Sequence, residues 1–559
     1  MEYKWTVLTN TTLGVIMSSL NANIVMISLP TIFRGLGINP FAGGEFIYLL
    51  WILMGYSIVL ASILVTFGRI SDIFGRTRMY TWGFIIFTVA SILLSIVPDN
   101  SKNFGATLLI AFRMIQAVGG GFLMVNSTAL LTDTFPVNER GKALGLNQSA
   151  FIVGSLLGLI LGGFLAGYNW HLVFIVNIPF ALAGTLWSIF KLKRNYEKMN
   201  VKIDYLGNIT LALGLILISL GFTYVLEPYG NSQMGWSNPW VLVAFATGFV
   251  SIILFVIVER IVKDPLFDLS LFKIRAFSFG NLSLFFNTLA RGAVMFLVTI
   301  WLQGIYLPLH GYPYTQTPFW AGVYLLPMMV GMVSIAPISG HLTDKYGARI
   351  FATAGMAIIA VSLFILILLP YNFNIVEFEL IMFLNGIGNG LFASPNTTAI
   401  MNSISSKHRG TGNGMRMTLS NIGSTISMAI FFSITITVFS QYVPSAMYNA
   451  AINIVPQRIA YELSQLPPSG LLFAAFLGID PLAAIKSSGL SQSSIMALSS
   501  HTFLPSVIGP SFITGLHYSL YISIVLILIG TLFSALRGKK YVHEENIKST
   551  VEVIEHGSK

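Results

Sequence analysis

From one end to the other, long apolar stretches alternate with short polar breaks. A helix crossing about 30 Å of hydrocarbon needs roughly 20 predominantly apolar residues. Stretches meeting that length begin near Val7, Glu45, Met79, Gly105, Ala143, Leu172, Leu206, Pro239, Phe277, Pro318, Ile350, Glu377, Gly414 and Phe512. The pattern predicts an all-α polytopic membrane protein of fourteen transmembrane helices. Val7 to Ile32 shows no small-residue cleavage pattern, so it is expected to remain as the first helix. Residues 441–511 interrupt the rhythm: they are rich in Ser and Pro yet hold the apolar run GLLFAAFLG. They are expected to form an ordered extracellular cap with short interfacial helices. Residues 537–559 mix Lys, Glu and His and are expected as a solvated cytoplasmic tail.

Composition explains why lipid must be the solvent. The chain of 559 residues is 55% hydrophobic and 9% charged, with a mean hydropathy of +0.77, against roughly 25% charged residues in soluble domains. The net charge of +10 is spread over short interhelical loops, so it does not indicate nucleic acid. With the amino terminus inside, the outer loops hold only Arg34, Lys102, Arg458 and Lys486 of the 31 Lys and Arg, and Arg113 and Arg291 lie inside spans. The remainder fall on inner segments, which places both termini in the cytoplasm by the excess of basic residues on that side. Cys is absent, which excludes disulfides and thiolate metal sites. There is no HExxH, no thiol and no paired carboxylate deep in a span, so neither an enzyme nor a metal or cofactor site is expected.

A duplication runs through the pattern. The loop after the second span reads GRISDIFGRTR and the loop after the tenth reads GHLTDKYGAR. Gly68, Asp72 and Gly75 recur at the same spacing as Gly340, Asp344 and Gly347. A second echo links ERGKALG, ending at Gly145, to HRGTGNG, ending at Gly414. A near-constant offset at two landmarks indicates a repeated six-helix unit. The expected organisation is a six-helix bundle over residues 1–190 and a linker with two inserted helices over 191–276. A second six-helix bundle, pseudo-symmetric with the first, follows over 277–536. Two parallel halves of this kind suit a transporter that rocks about a site near the bilayer midplane.

The loop GxxxDxxGR after the second span resembles the signature of the major facilitator superfamily. FRMIQAVGGG, with Arg113 and Gln116 in the fourth span, resembles that superfamily's RxxQG element. GSLLGLILGG in the fifth, from Gly154 to Gly163, is similar to its antiporter motif GxxxGPxxGG, with Leu159 in place of the proline. The six-plus-two-plus-six layout, with DYLG opening the seventh span, is similar to the fourteen-helix drug–proton antiporter branch typified by EmrB and QacA. The resemblance implies a multidrug-type exporter of amphipathic small molecules in a prokaryotic plasma membrane, working by alternating access with protons as coupling ion, as a monomer. Where that branch carries an acid in the first span, LNANIVMISLP places Asn21, with Asn23 beside it.

Several side chains are candidates for chemistry. An Arg in mid-span is costly unless it faces protein or water and finds partners, which singles out Arg113 and Arg291, with Gln116 and Asn287 one turn away on similar faces. These four, with Asn21 and Asn23, form the expected substrate and proton cavity; from helix starts, Asn21 and Arg291 fall at about the same depth in equivalent helices. Phe285, Phe286 and Trp301 could supply an apolar wall. The loops bearing Gly68, Asp72, Gly75 and Arg76, and Gly340, Asp344 and Gly347, are expected to gate, a carboxylate holding a basic partner or a helix amino terminus in one state and releasing it in the other. Gly154, Gly158, Gly162 and Gly163 are expected to form a packing seam along the fifth helix, either a sliding seam between the halves or ordinary close packing of helices. The acids left for proton coupling are Asp72, Asp344 and the outer-edge Glu45, Glu377 and Glu379. Two alternatives remain open: a transporter specific for an organic anion or carboxylate with a different coupling ion or none, and a non-transporting receptor on the same scaffold.

Overall fold

The computed structural model describes residues 2–39, 41, 46–193, 204–225, 227, 229–230, 234–262, 265, 267–292, 294–405, 409–480 and 490–538. Glu45, most of the Lys191–Lys202 linker, part of the HRGTGNG repeat and all but the first two residues of the tail lie outside the described residues. The chain winds into helices α1 Tyr3–Leu36, α2 Phe46–Phe74, α3 Arg76–Ser95, α4 Lys102–Thr134 and α5 Val137–Tyr168. Then come α6 Leu172–Lys191, α7 Tyr205–Val225, α8 Pro239–Ile261 and α9 Arg275–Leu309. The last five are α10 Thr317–Thr343, α11 Ala348–Ile367, α12 Ile375–Asn402, α13 Arg409–Ala451 and α14 Phe503–Leu536. Among the described residues 13 helices are long and apolar enough to cross a membrane, or 14 when α2, bent by 54° between Leu50–Leu64 and Thr66–Phe74, counts as one span.

The same set of helix neighbours occurs twice. In the first half α1 packs on α4, α5 and α6, α4 on α2 and α3, and α3 on α6. In the second, α9 packs on α12, α13 and α14, α12 on α10 and α11, and α11 on α14. The halves meet through α2 against α13 and, symmetrically, α5 against α10. The inserted α7 packs on both α2 and α13, and α8 packs on α7. Gly214 and Gly248 bring those two inserted helices close, each facing the other's backbone oxygen at 3.2–3.3 Å from an added Cβ, as small residues do between membrane helices. Burial follows position: 17% of the most apolar window of α8 is buried against 82% of that of α9, so α8 faces lipid and α9 lies at the centre.

The turns at Gly75 and Gly347 lie at the same end of the bundle, because an even number of crossings separates them. At the opposite end the flanking spans take up both edges of residues 441–511. Helix α13 continues to Ala451 and α14 already begins at Phe503. Between them lie short helices Gln457–Ser464, Pro468–Leu477 and Gln492–Leu498, with residues 481–489 outside the described set. All ten residues of Pro468–Leu477 are buried. This helix packs against α1, α13, α14 and a π-helical turn of α9 at Trp301–Tyr306. Gly304 in that turn leaves room for the Phe476 backbone, whose Cα would lie 3.2 Å from an added Cβ. Phe473 and Phe476 set their rings edge-on to Phe432 and Phe296. An apolar ten-residue helix is too short to span but gains by leaving water; here it is wedged between α1 of the first half and α9, α13 and α14 of the second.

Candidate functional site

Midway along α1 and α4 a polar node occupies an otherwise apolar interior. The Gln116 Oε1 accepts from Asn21 Nδ2 at 3.0 Å and from an Arg113 terminal nitrogen at 3.2 Å, while its Nε2 donates to Ser91 Oγ of α3 at 3.0 Å. Arg113 also lies over the Tyr56 ring of α2, 4.6 Å from its centroid, a placement that uses the negative face of the ring. Local sequence makes this possible. Arg113 and Gln116 share a helix face, and Gly119, Gly120 and Gly121 follow with no side chains. Gly119 allows contact with the α3 backbone at Gly83 and Phe87, and Gly120 admits the Tyr56 hydroxyl, which would be 2.6 Å from a Cβ there. Asn21, Arg113, Gln116 and Tyr56 are all buried. The Asn21 Oδ1 and the Arg113 Nε have no hydrogen-bond partner, the Tyr56 hydroxyl lies beside the Asn21 side chain, and no carboxylate pairs with Arg113 among the described residues.

The second half keeps the scaffold and changes the chemistry. Asn385 of α12 donates to Ser362 Oγ of α11 at 2.8 Å, the counterpart of Gln116 and Ser91. Met382 stands where Arg113 does. Gly154 of α5 faces the Ile16 carbonyl of α1, and Gly423 of α13 faces the Phe285 carbonyl of α9. In that register Arg291 is the counterpart of Ala22, and Asn287 of Ser18. Arg291 thus lies one residue along from the counterpart of Asn21, a rotation of about 100° around the helix. Ala22 is the one exposed residue of α1 and Arg291 is half-buried, so this register position is not sealed in either half. Asn23 is half-buried beside it and donates to the Ser19 carbonyl at 3.2 Å. Arg291, half-buried, makes no hydrogen bond or ion pair with any described residue, and the buried Asn287 has an unpartnered Nδ2. Phe286 is stacked on Phe533 and Trp301 is fully buried, bonded to the Tyr371 carbonyl at 3.0 Å. The expected wall of Phe285, Phe286 and Trp301 is therefore at least in part core packing.

At the repeated loops, Gly75 and Gly347 take φ of 97° and 83° and lead straight into α3 and α11, a region where any side chain is strained. The Arg76 Nε bonds Asp72 at 2.9 Å, and a terminal nitrogen of Arg76 bonds both oxygens of Asp133 of α4 at 2.7 and 2.8 Å. The Asp344 side chain lies outside what the structure describes. Gly68 faces only Val125 Cγ1, at 3.5 Å from an added Cβ, and Gly340 faces Ser394 Oγ at 2.9 Å.

The α5 glycines divide between the two kinds of packing. Gly154, Gly158 and Gly162 lie against the α1 carbonyls of Ile16, Leu20 and Ile24, within one half. Gly163 alone of the four meets the other half, against Pro318 and Phe319 of α10, where Gly322 in turn lies against the Leu159 carbonyl. Spacing by four describes one stripe but not which neighbour it meets; α1 is the helix whose backbone comes close.

Three contributors escape a reading of sequence. Tyr56 is one tyrosine among 21, marked only by lying opposite a run of glycines. Arg416, assigned to an inner segment, lies within α13, bonded to Asn413 at 3.1 Å and Thr397 at 3.5 Å. Gln303 of α9 crosses between halves to donate to the Ile27 carbonyl of α1 at 3.3 Å. Near the same end Arg34 of α1 donates to the Tyr314 carbonyl at 3.3 Å.

Comparison with known proteins matches residues 11–428 to the Major Facilitator Superfamily. The riboflavin transporter RibZ of Clostridioides difficile is 30% identical over 435 residues, 78% of this chain and 88% of RibZ. The multidrug transporter MdtP of Bacillus subtilis is 25% identical over 565 residues, 99% of this chain and 97% of MdtP. Among solved structures, a bacterial homologue of the human lysosomal transporter Spinster, in an inward-facing and occupied conformation, is similar with a TM-score of 0.53 at 14% identity, covering 97% of this chain and 98% of that one. The D-xylose–proton symporter is similar with a TM-score of 0.52 at 15% identity, covering 78% of this chain and 90% of that one.

Proposed function

This chain belongs to the Major Facilitator Superfamily, and from that membership we propose that it exports amphipathic small molecules by alternating access, driven by a proton gradient. The observation that carries the reading is the duplicated set of helix contacts, whose two halves meet through the matched seams α2–α13 and α5–α10. Two equivalent seams allow one half to tilt on the other, loosening one end as the other closes. In the present arrangement the end holding the short buried helix is bridged by Gln303 to Ile27 and Arg34 to Tyr314. The moving units in this reading are residues 1–190 and 277–536, with 191–276 spanning them. Both termini are placed in the cytoplasm and the protein in the plasma membrane, as a monomer. Arg76, shared between Asp72 and Asp133, serves as the catch at the loop end. Similarity to transporters named for multidrug export supports the substrate class.

Proton coupling needs groups that gain and lose a proton as access alternates. Asp72 and Asp133 lie in the last turns of α2 and α4, and Glu377 and Glu379 in the first turns of α12. Proton exchange is assigned to these helix-end acids as each end gains and loses access to water. Purified protein in proteoliposomes with an internal pH dye tests the reading. Lipophilic cations or amphipathic carboxylates added at two pH values are expected to produce proton movement opposite to substrate. Substrate uptake with no accompanying pH change removes the proton coupling, and no uptake of any compound removes the exporter assignment.

A further inference from the structure

The two mid-span arginines differ in one respect that bears on what the site binds. Arg113 is 2% exposed and already engaged, stacked on Tyr56 and bonded to Gln116. Arg291 is neither exposed nor closed in, and it has no acceptor from any described residue. One turn before it on the same face, the Asn287 Nδ2 is a second donor without a partner, on a side chain 3% exposed. Two idle donors one turn apart in a membrane-spanning helix are costly, since no lipid tail can accept from them. Arg291 is half-buried rather than closed off, and its counterpart in the α1 register, Ala22, is the exposed residue of that helix. No carboxylate pairs with Arg113 or Arg291 among the described residues, so the positive charge at mid-depth has no internal counterion there.

We propose that Arg291 and Asn287 form an oxyanion subsite of the central cavity, which takes the carboxylate of an amphipathic organic substrate. The guanidinium presents a planar fork of donors matched to a carboxylate, and the Asn287 amide supplies a third. Substrates are thereby sorted by charge: an anionic or zwitterionic molecule supplies the missing acceptor, whereas a purely cationic one meets an unneutralised guanidinium. This rests on the transporter reading and narrows its substrate class.

The test uses 1-pyrenebutyric acid and its methyl ester, which share an apolar body and differ in the carboxylate. Binding to the purified protein in nanodiscs is read from pyrene fluorescence, and flux from proteoliposomes. The wild type is expected to bind the acid more tightly than the ester by about tenfold or more, the range for a charge-assisted hydrogen bond. Arg291→Gln is expected to lower the acid's affinity by a similar factor and the ester's far less, with Arg291→Lys in between and Asn287→Ala showing a smaller loss of the same kind. A thermal melt of each variant separates this from loss of fold. Equal affinity of the wild type for acid and ester overturns the subsite while leaving export standing, as does a parallel loss of both in Arg291→Gln. Displacement of the acid by equimolar inorganic phosphate marks a plain anion site and also overturns it. Absence of flux for acid, ester and lipophilic cation alike strikes the transporter reading itself.

Discussion

Gln116 holds the polar node together because its one oxygen serves two donors, Asn21 and Arg113. Removing that acceptor leaves a cation and an amide short of a partner in a buried site, at about 1–3 kcal/mol for each group. Gln116→Leu is therefore expected to lower the thermal stability of the detergent-solubilised protein clearly more than Ser91→Ala, which strands only the neutral Gln116 amide. Equal melting temperatures for the two variants would show that Gln116 does not carry the node. At the loop, Arg76 keeps Asp133 when Asp72 is lost, and part-exposed ion pairs contribute only about 0.2–1 kcal/mol. Asp72→Asn should thus leave abundance intact and cut transport; full transport in that variant would remove the catch. Arg113 and Gln116 are legible in sequence as polar residues stranded in an apolar run. Tyr56 is not, since nothing in its own span distinguishes a ring that stacks on a guanidinium from one that faces lipid.

Helices here are set by glycine and by which backbone a smooth face meets. An added Cβ at Gly158 would lie 2.5 Å from the Leu20 carbonyl of α1, whereas one at Gly68 finds only a methyl at 3.5 Å. Gly158→Leu should consequently push α1 and α5 apart and reduce both melting temperature and folded yield, while Gly68→Ala should melt within a few degrees of the wild type. A stable Gly158→Leu protein would mean that the α1–α5 contact is looser than the structure shows. The existence and order of the long helices follow from runs of apolar residues alone, and so does the α13–α14 interruption. Its internal arrangement does not: Pro468–Leu477, apolar and too short to span, is enclosed by α1, α9, α13 and α14. Likewise α14 starts at Phe503, ahead of the expected Phe512, because its first turns are packed against protein and tolerate Ser and Pro.

Across the whole molecule the Gln303–Ile27 bridge provides a direct test of rocking, since its partners belong to different halves. The chain has no cysteine, so Ile27→Cys with Gln303→Cys can be joined cleanly by a short, cleavable bifunctional thiol reagent. Cross-linking is expected to arrest transport and cleavage of the linker to restore it; undiminished flux from the cross-linked protein would mean that this end never opens. The amino-acid sequence alone determined that the chain is a helical membrane protein built from a duplicated six-helix unit with two helices inserted. It could do so because a backbone in lipid must satisfy its hydrogen bonds internally, which leaves helices as the answer to each long apolar run. Tertiary structure alone decided that Arg113 is engaged by Gln116 and Tyr56 while Arg291 has no described partner, that three of the four α5 glycines serve α1, and that a short apolar helix is wedged between the halves. Those outcomes depend on neighbours distant in the chain, and an apolar side chain reads the same whether it meets lipid or another helix.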